Sequence, residues 1–169
     1  MVYFRSEVSD VKQKELSRWL RVIVIVCWIG CALLAGLVMP WIARDAAQMN
    51  PDLAYLQWPG LVVFWVAVVP VVVALAEAWE IFGQIGRDNS FCMENARRLR
   101  VVSYLAAGDT ALIIVSMTVL AILNALHPGV FLMMLAVLIL GTAAAVASAA
   151  LSHLTAKAAA LKAENDLTI

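Results

Sequence analysis

The sequence predicts an all-α integral membrane protein with four transmembrane helices. Of its 169 residues, 64% are hydrophobic and only 14% are charged, whereas a soluble domain is usually about 45–50% apolar and about 25% charged. So few charges cannot cover a water-facing surface, which excludes a soluble enzyme or DNA-binding domain. In addition, four windows are almost free of charge, and each is near the ~20 residues that a helix needs to cross the bilayer core.

The first two spans are predicted at residues 22–43 and 61–79. The first contains no charge between Arg21 and Arg44, and the second starts after Pro59 and Gly60. Open strands are excluded because unpaired backbone groups cannot remain in lipid. Gly83 and Gly86 are too few for a phosphate-binding loop, and we expect them to end the second helix.

The third and fourth spans are predicted at residues 101–123 and 130–151. A turn with His127, Pro128 and Gly129 separates them. Together with a short N-terminal segment and a tail, the four spans form a single domain, 1–169. Trp19, Trp41, Trp58 and Trp79 fall near span ends, where amphipathic rings anchor helices in the interface.

The distribution of basic residues predicts the orientation. Formal net charge is zero, yet 11 of the 12 Lys and Arg residues fall before the first span, between the second and third spans, or in the tail. Arg44 alone falls on the other side. By the positive-inside rule, both termini and the second connection are expected in the cytoplasm.

Small residues indicate where helices approach closely. Gly141, Ala145 and Ala149 share one face of the fourth span, and Ala32 and Gly36 form a similar patch in the first. Such residues favour helix packing in lipid. The sequence leaves open whether these faces meet within one chain or between chains, so a homo-oligomer remains one alternative.

Asp109 is the one charge in the third span, about 13 Å along the helix from Arg100. A carboxylate at that depth is costly and is a functional candidate by default. Ser103, Thr110 and Ser116 are within helical reach as hydrogen-bond donors. Two interpretations stay open: a functional acid, or a protonated or paired carboxyl group that locks helices together.

No arrangement of residues predicts a catalytic or metal site. His127 and His153 are 26 residues apart along the fourth span, about 39 Å if helical, so they cannot share one metal ion. No Ser/His/Asp or Cys/His set is evident. We therefore expect a protein that is not an enzyme and has no cofactor, no metal and no direct contact with nucleic acid.

The connection before the third span carries a charged helix. It reads Ser90-Phe91-Cys92-Met93-Glu94-Asn95-Ala96-Arg97-Arg98-Leu99-Arg100. Glu94 and Arg98 are four residues apart in the favourable orientation, which is worth a few tenths of a kcal/mol when exposed. The arginines serve either as a topology anchor or as a site for lipid headgroups or an acidic partner.

This connection, joined to the tail Leu161-Lys162-Ala163-Glu164-Asn165-Asp166-Leu167-Thr168-Ile169, resembles a bacterial family catalogued as domain of unknown function 2975. The resemblance covers essentially the whole chain. It departs at Ser90, where the family often has Pro, and at Cys92, where Ser or Thr would cap the following helix. It implies a small four-helix protein of the bacterial inner membrane.

The resemblance also implies a partner, because genes of that family often stand beside one for a short helix-turn-helix regulator. The leading hypothesis is a non-enzymatic protein that binds or sequesters such a cytoplasmic regulator. The candidate partner-binding residues lie in the connection and the tail: Phe91, Glu94, Asn95, Arg97, Arg98, Arg100, Glu164, Asp166, Leu167 and Thr168. The tail acids either pair with Arg97 and Arg98 or join them in a docking site.

The alternative is a small oligomeric transporter or ion- or proton-conducting protein. It would use Asp109 and the helix break expected at Pro70, inside the second span.

Overall fold

The computed structural model describes residues 2–87 and 89–166, with side chains from Gln13 to Asn165 apart from position 88. Its α-helices are α1 (Val2–Leu33), α2 (Met39–Met49), α3 (Gln57–Ile85), α4 (Met93–Ile122) and α5 (Pro128–Asp166). A π-helical turn, Leu34–Val38, joins α1 to α2, and a 3-10 turn, Pro51–Leu56, joins α2 to α3. These ranges contain no β-strand, and the all-α prediction is confirmed.

Within the described ranges, four helical segments are long and apolar enough to cross a membrane: Gln13–Met49, Pro51–Ile85, Met93–Ile122 and Pro128–Asn165. The predicted number of spans is therefore confirmed. The predicted spans lie inside these segments, except that α4 ends at Ile122, one residue before the predicted limit. We call the end of the array that carries residues 89–92 the basic end, and the end that carries the 3-10 turn the opposite end.

The four long helices form an open row rather than a closed bundle. α1 packs on α3, α3 on α4 and α4 on α5, whereas α5 contacts neither α1 nor α3 within the described residues. The accessible surface is 11902 Å² for 18.3 kDa, about one and a half times the ~8,100 Å² of a compact soluble monomer of that mass. Most of the apolar surface therefore faces the surroundings, which along the spans is lipid.

The π-helical turn removes the usual donor from one carbonyl, and α3 supplies another. The Met39 N–H bonds to Leu34 O, so Ala35 O loses the donor that a regular α-helix would give it. Pro40, which is next in reach, has no N–H. Trp65 Nε1 donates to Ala35 O at 3.0 Å. One indole thus satisfies this carbonyl and ties α1 to α3.

Two glycines let α1 approach α3 at the basic end. Gly86 follows the last residue of α3, as predicted, whereas Gly83 lies inside the helix. A Cβ at Gly83 would overlap the Arg21 guanidinium, and one at Gly86 would lie 2.8 Å from Ser17 Oγ. Ser17 Oγ donates to Phe82 O at 2.6 Å. Close contact with α1 therefore explains both glycines.

The small-residue face of α5 packs within the chain, against α4. A Cβ at Gly141 would lie 2.9 Å from Thr110 Oγ1, and Ser103 Oγ donates to Ala145 O at 2.9 Å. Ala149, predicted on this face, is exposed instead. Uniform steps of four residues drift off a helix–helix seam, which follows alternating steps of four and three. The seam is Gly141, Ala145, Ser148, Ser152 and Thr155.

Candidate functional site

The start of α4 is fixed from inside by Cys92 and Asn95. Cys92 occupies the N-cap position with an extended backbone, and its Sγ accepts the Asn95 N–H at 3.5 Å. A thiol therefore takes the place of the hydroxyl that usually caps a helix. Asn95 is 1% exposed, and its Nδ2 donates to Ser90 O at 3.0 Å. Asn95, predicted to contact a partner, instead anchors the connection, because burial makes its amide inaccessible.

Arg98 joins α4 to α3 through two carboxylates. Its Nη2 lies 2.7 Å from Glu94 Oε1, which confirms the predicted pair, and its Nη1 lies 2.9 Å from Glu77 Oε2. The side chains of Arg98 and Glu77 are 25% and 24% exposed, against 55% for Glu94. Arg98 is therefore held in the helix interface. The sequence signal for Glu77 is a lone acid late in an apolar span, on the side where the arginines cluster.

Ser152 joins α5 to α4 two residues along α4 from Arg98. Sequence reasoning missed this contact. Ser152 Oγ donates to Ala96 O at 2.6 Å, and the two residues are 2% and 4% exposed. A carbonyl oxygen can accept a second hydrogen bond besides the one within its helix. The Ser152 hydroxyl therefore finds its partner inside the protein and is not left unpaired in lipid. The seam spacing of α5 was the signal that could have found it.

The remaining residues of the α4 start face outward and form what we call the loop–helix surface: Phe91, Met93, Glu94, Arg97 and Arg100. Phe91 and Met93 are 60% and 63% exposed, and both arginines are exposed. Met93, Arg97 and Arg100 are spaced by four and three residues, so they share the helix face turned away from α3 and α5. Met93 was not among the predicted residues.

The tail extends α5 beyond the start of α4. Glu164 is 12 residues past Ser152, so it lies about 18 Å further along the axis than the Ala96 contact. The connection and the tail thus lie at the same end of the array but at different distances along the helix axes. Asp166 ends α5, and its side chain lies outside the described ones. Leu167 and Thr168 also lie outside the described residues.

Asp109 lies inside the third span without the predicted hydrogen bonds. Ser103 donates to Ala145 O on α5, whereas Thr110 and Ser116 donate to the carbonyls four residues before them on α4. Such bonds to the carbonyl one turn earlier are common for Ser and Thr inside helices. Asp109 Oδ1 is buried with no hydrogen-bond partner in the described structure.

The described residues also contain no cluster of three or more His, Cys, Asp and Glu side chains suited to a metal ion. His127 instead takes part in the turn before α5, where its Nδ1 accepts the Gly129 N–H at 3.3 Å. Cys27, Cys31 and Cys92 are free thiols.

Comparison with known proteins places these features in a family. The family model described as protein of unknown function (DUF2975) matches residues 41–169. The chain belongs to the DUF2975 family. The match includes the connection and the tail, which confirms the resemblance found in those segments.

The chain is also similar to YoaS, an uncharacterised membrane protein of Bacillus subtilis (strain 168). It is 24% identical over 153 residues, which are 89% of this chain and 96% of YoaS. No solved structure matches.

In this DUF2975 protein, the polar side chains at the basic end therefore have two roles. Arg98 and Ser152 face inward and fix α3 and α5 to α4, and Asn95 fixes the connection to the start of α4. The loop–helix surface faces outward, with two apolar side chains among charged ones. The inward-facing side chains can position the start of α4, and the loop–helix surface can bind a partner.

Proposed function

We propose that this DUF2975 protein is a non-enzymatic regulatory protein of the bacterial inner membrane. Its loop–helix surface binds a small cytoplasmic helix-turn-helix regulator. The orientation follows from the 11 basic residues expected on the cytoplasmic side. The class of partner follows from the family resemblance.

The observation that carries this proposal is the exposure of Phe91 and Met93 outside the predicted spans. At 60% and 63% exposure, these side chains leave most of their apolar surface uncovered after folding, whereas a large apolar residue ringed by charges is typical of a binding hot spot. Arg97 and Glu94 flank them and offer charges of both signs. A partner that covers Phe91 would remove its apolar surface from water.

The inward-facing contacts make this surface rigid before a partner arrives. The Asn95 amide holds the connection at Ser90, and Arg98 holds α4 against Glu77 of α3. A preorganised surface loses less conformational entropy on binding. The contribution of Asn95 and Arg98 is therefore to position the surface rather than to touch the regulator.

The tail supplies a second contact in this proposal. Because α5 extends beyond the start of α4 by several turns, Glu164 lies at the same end of the array as Phe91, further along the helix axis. A small regulator seated on the loop–helix surface would meet the exposed side of this overhang. We assign Asp166, Leu167 and Thr168 to the same contact because the tail carries part of the family resemblance.

Co-purification of the neighbouring regulator with full-length protein in detergent tests the proposal. Phe91→Ser is expected to reduce regulator recovery at least tenfold, which corresponds to ~1.4 kcal/mol. Tyr55→Ser is the matched control, because Tyr55 is also 60% exposed but lies at the opposite end. Equal recovery from the two variants would eliminate the loop–helix surface, and full recovery after truncation following Lys162 would eliminate the tail.

A second candidate, proton or ion conduction, is favoured by the unpartnered Asp109 Oδ1. Asp109→Asn is expected to abolish pH-dependent flux in proteoliposomes, while Asp45→Asn, an exposed carboxylate of α2, preserves it. Wild-type protein that supports no flux ends this candidate.

A further inference from the structure

An apolar groove lies between α1 and α3, around the middle of the first two spans. Its volume is about 280 Å³. It is lined by Trp28, Cys31, Ala32, Ala35, Val68 and Val72. Small side chains on α1 leave the space, so the two helices do not close on each other here.

Two indoles bridge the helices beside the groove. Trp28 Nε1 donates to Val72 O at 3.4 Å, and Trp65 Nε1 donates to Ala35 O at 3.0 Å. The polar groups at the groove's wall are thereby satisfied internally. What remains accessible is hydrocarbon, which suits an aliphatic chain.

The side chain of Arg21 places a cation at the basic end, on the face of α1 that also carries Trp28. Arg21 lies two helical turns before Trp28, on the same face of α1, and its guanidinium carbon is 4.8 Å from the Trp79 ring centroid. Trp79 in turn stacks on Trp28, with centroids 6.0 Å apart. Trp79, predicted as an interfacial anchor, therefore links the cation to the groove.

Arg21 forms no ion pair with a carboxylate among the described side chains. Its Nε is buried without an acceptor. The missing side chain of Gly83 provides the room in which the guanidinium lies. An anion at this position would supply the acceptors that Arg21 lacks.

The geometry points to a binding site for an anionic phospholipid, with its phosphate on Arg21 and one acyl chain in the α1–α3 groove. Arg21 and Ala35 are 14 residues apart, about 21 Å along the helix axis. Half of a bilayer, headgroups included, is also about 20–22 Å thick. Charge and chain length therefore match one lipid of the leaflet at the basic end.

A second copy of this chain fits the groove less well. An apolar helix face laid in the groove would leave the Arg21 Nε without an acceptor. The site does not depend on the regulator proposed above.

Native mass spectrometry of delipidated full-length protein tests this site. Phosphatidylglycerol and phosphatidylcholine with the same acyl chains are offered in equal amounts. Wild-type protein is expected to retain phosphatidylglycerol about fivefold better, as one interfacial cation predicts. Arg21→Gln should abolish the preference, and Arg18→Gln, which removes an exposed charge one turn earlier, should preserve it.

Two further variants separate the head from the chain. Gly83→Ala keeps the net charge but displaces the Arg21 guanidinium, so it should abolish the preference as well. Ala32→Leu fills the groove and should lower retention of both lipids alike. Circular dichroism melting verifies that each variant is folded, and the Arg21 and Arg18 pair decides the result if Gly83→Ala does not fold.

Three results would overturn the inference. Equal loss of preference in Arg21→Gln and Arg18→Gln would indicate diffuse surface charge. Wild-type retention of both lipids by Ala32→Leu would show that no chain enters the groove. A dimer that Ala32→Leu dissociates, with lipid retention unchanged, would assign the groove to a second copy.

Discussion

Arg98 bonds to two glutamates in different settings, and the structure predicts very different coupling energies for the two ion pairs. Glu77 lies on another helix, whereas Glu94 lies one turn away on the same helix. The perturbations are Arg98→Met, Glu77→Gln and Glu94→Gln, singly and as the two double variants that contain Arg98→Met. Double-mutant cycles then isolate each pair from the other effects of substitution.

The expected magnitudes follow from burial and from the unfolded state. Arg98 and Glu77 are about three-quarters buried, so their coupling should lie between the ~0.2–1 kcal/mol of an exposed pair and the 3–5 kcal/mol lost on breaking a buried one. We expect about 2 kcal/mol. Glu94 is 55% exposed, and an exposed i,i+4 pair contributes about 0.3–0.5 kcal/mol. Membrane helices keep their helical structure after they separate, so much of this second pair survives unfolding.

The assay is reversible unfolding in mixed micelles, followed by circular dichroism and by tryptophan fluorescence. Coincident transitions establish that the free energies are comparable. The Glu77 cycle should give about five times the coupling of the Glu94 cycle, and 0.5 M salt should weaken the Glu94 coupling further. Equal couplings, or a larger one for Glu94, would refute the conclusion that Arg98 fastens α4 to α3.

Two further predictions concern helix packing. Gly141→Leu drives a side chain into α4 and should destabilise the protein by about 1–3 kcal/mol, whereas Ala149→Leu, which is exposed, should change stability by less than ~0.5 kcal/mol. A similar loss of stability in both variants would contradict the assignment of Gly141, and not Ala149, to the α4–α5 seam. Trp65→Phe removes the donor to Ala35 O and should cost about 1–2 kcal/mol, with Trp41→Phe, 68% exposed, as the neutral control. Chemical unfolding measures all four variants.

Hydropathy alone could predict the number of membrane-spanning segments, because a lipid environment forces each of them to satisfy its own backbone. The turn before α5 was equally readable from His127, Pro128 and Gly129. The Glu94–Arg98 pair was also predictable, since both partners lie on one helix and their spacing fixes the contact. Each of these predictions depends on residues that are close in sequence.

Contacts between helices could not be predicted in this way, because they depend on the register of one helix against another. Ser152 and Ala96 are 56 residues apart, and Glu77 and Arg98 are 21 apart. Nothing within either segment reveals that they meet. The same limit applies to Asn95, whose polarity indicated exposure until the position of the connection showed that it is buried.

Photo-crosslinking from position 91 in living cells tests the central claim most directly, because it reports contact between the loop–helix surface and the regulator. A photoreactive phenylalanine analogue replaces Phe91 in one strain and Tyr55 in another, and the neighbouring regulator carries an epitope tag. The account predicts a crosslinked product of the two proteins from position 91 and none from position 55. No product from position 91, or equal yields from both positions, would contradict it.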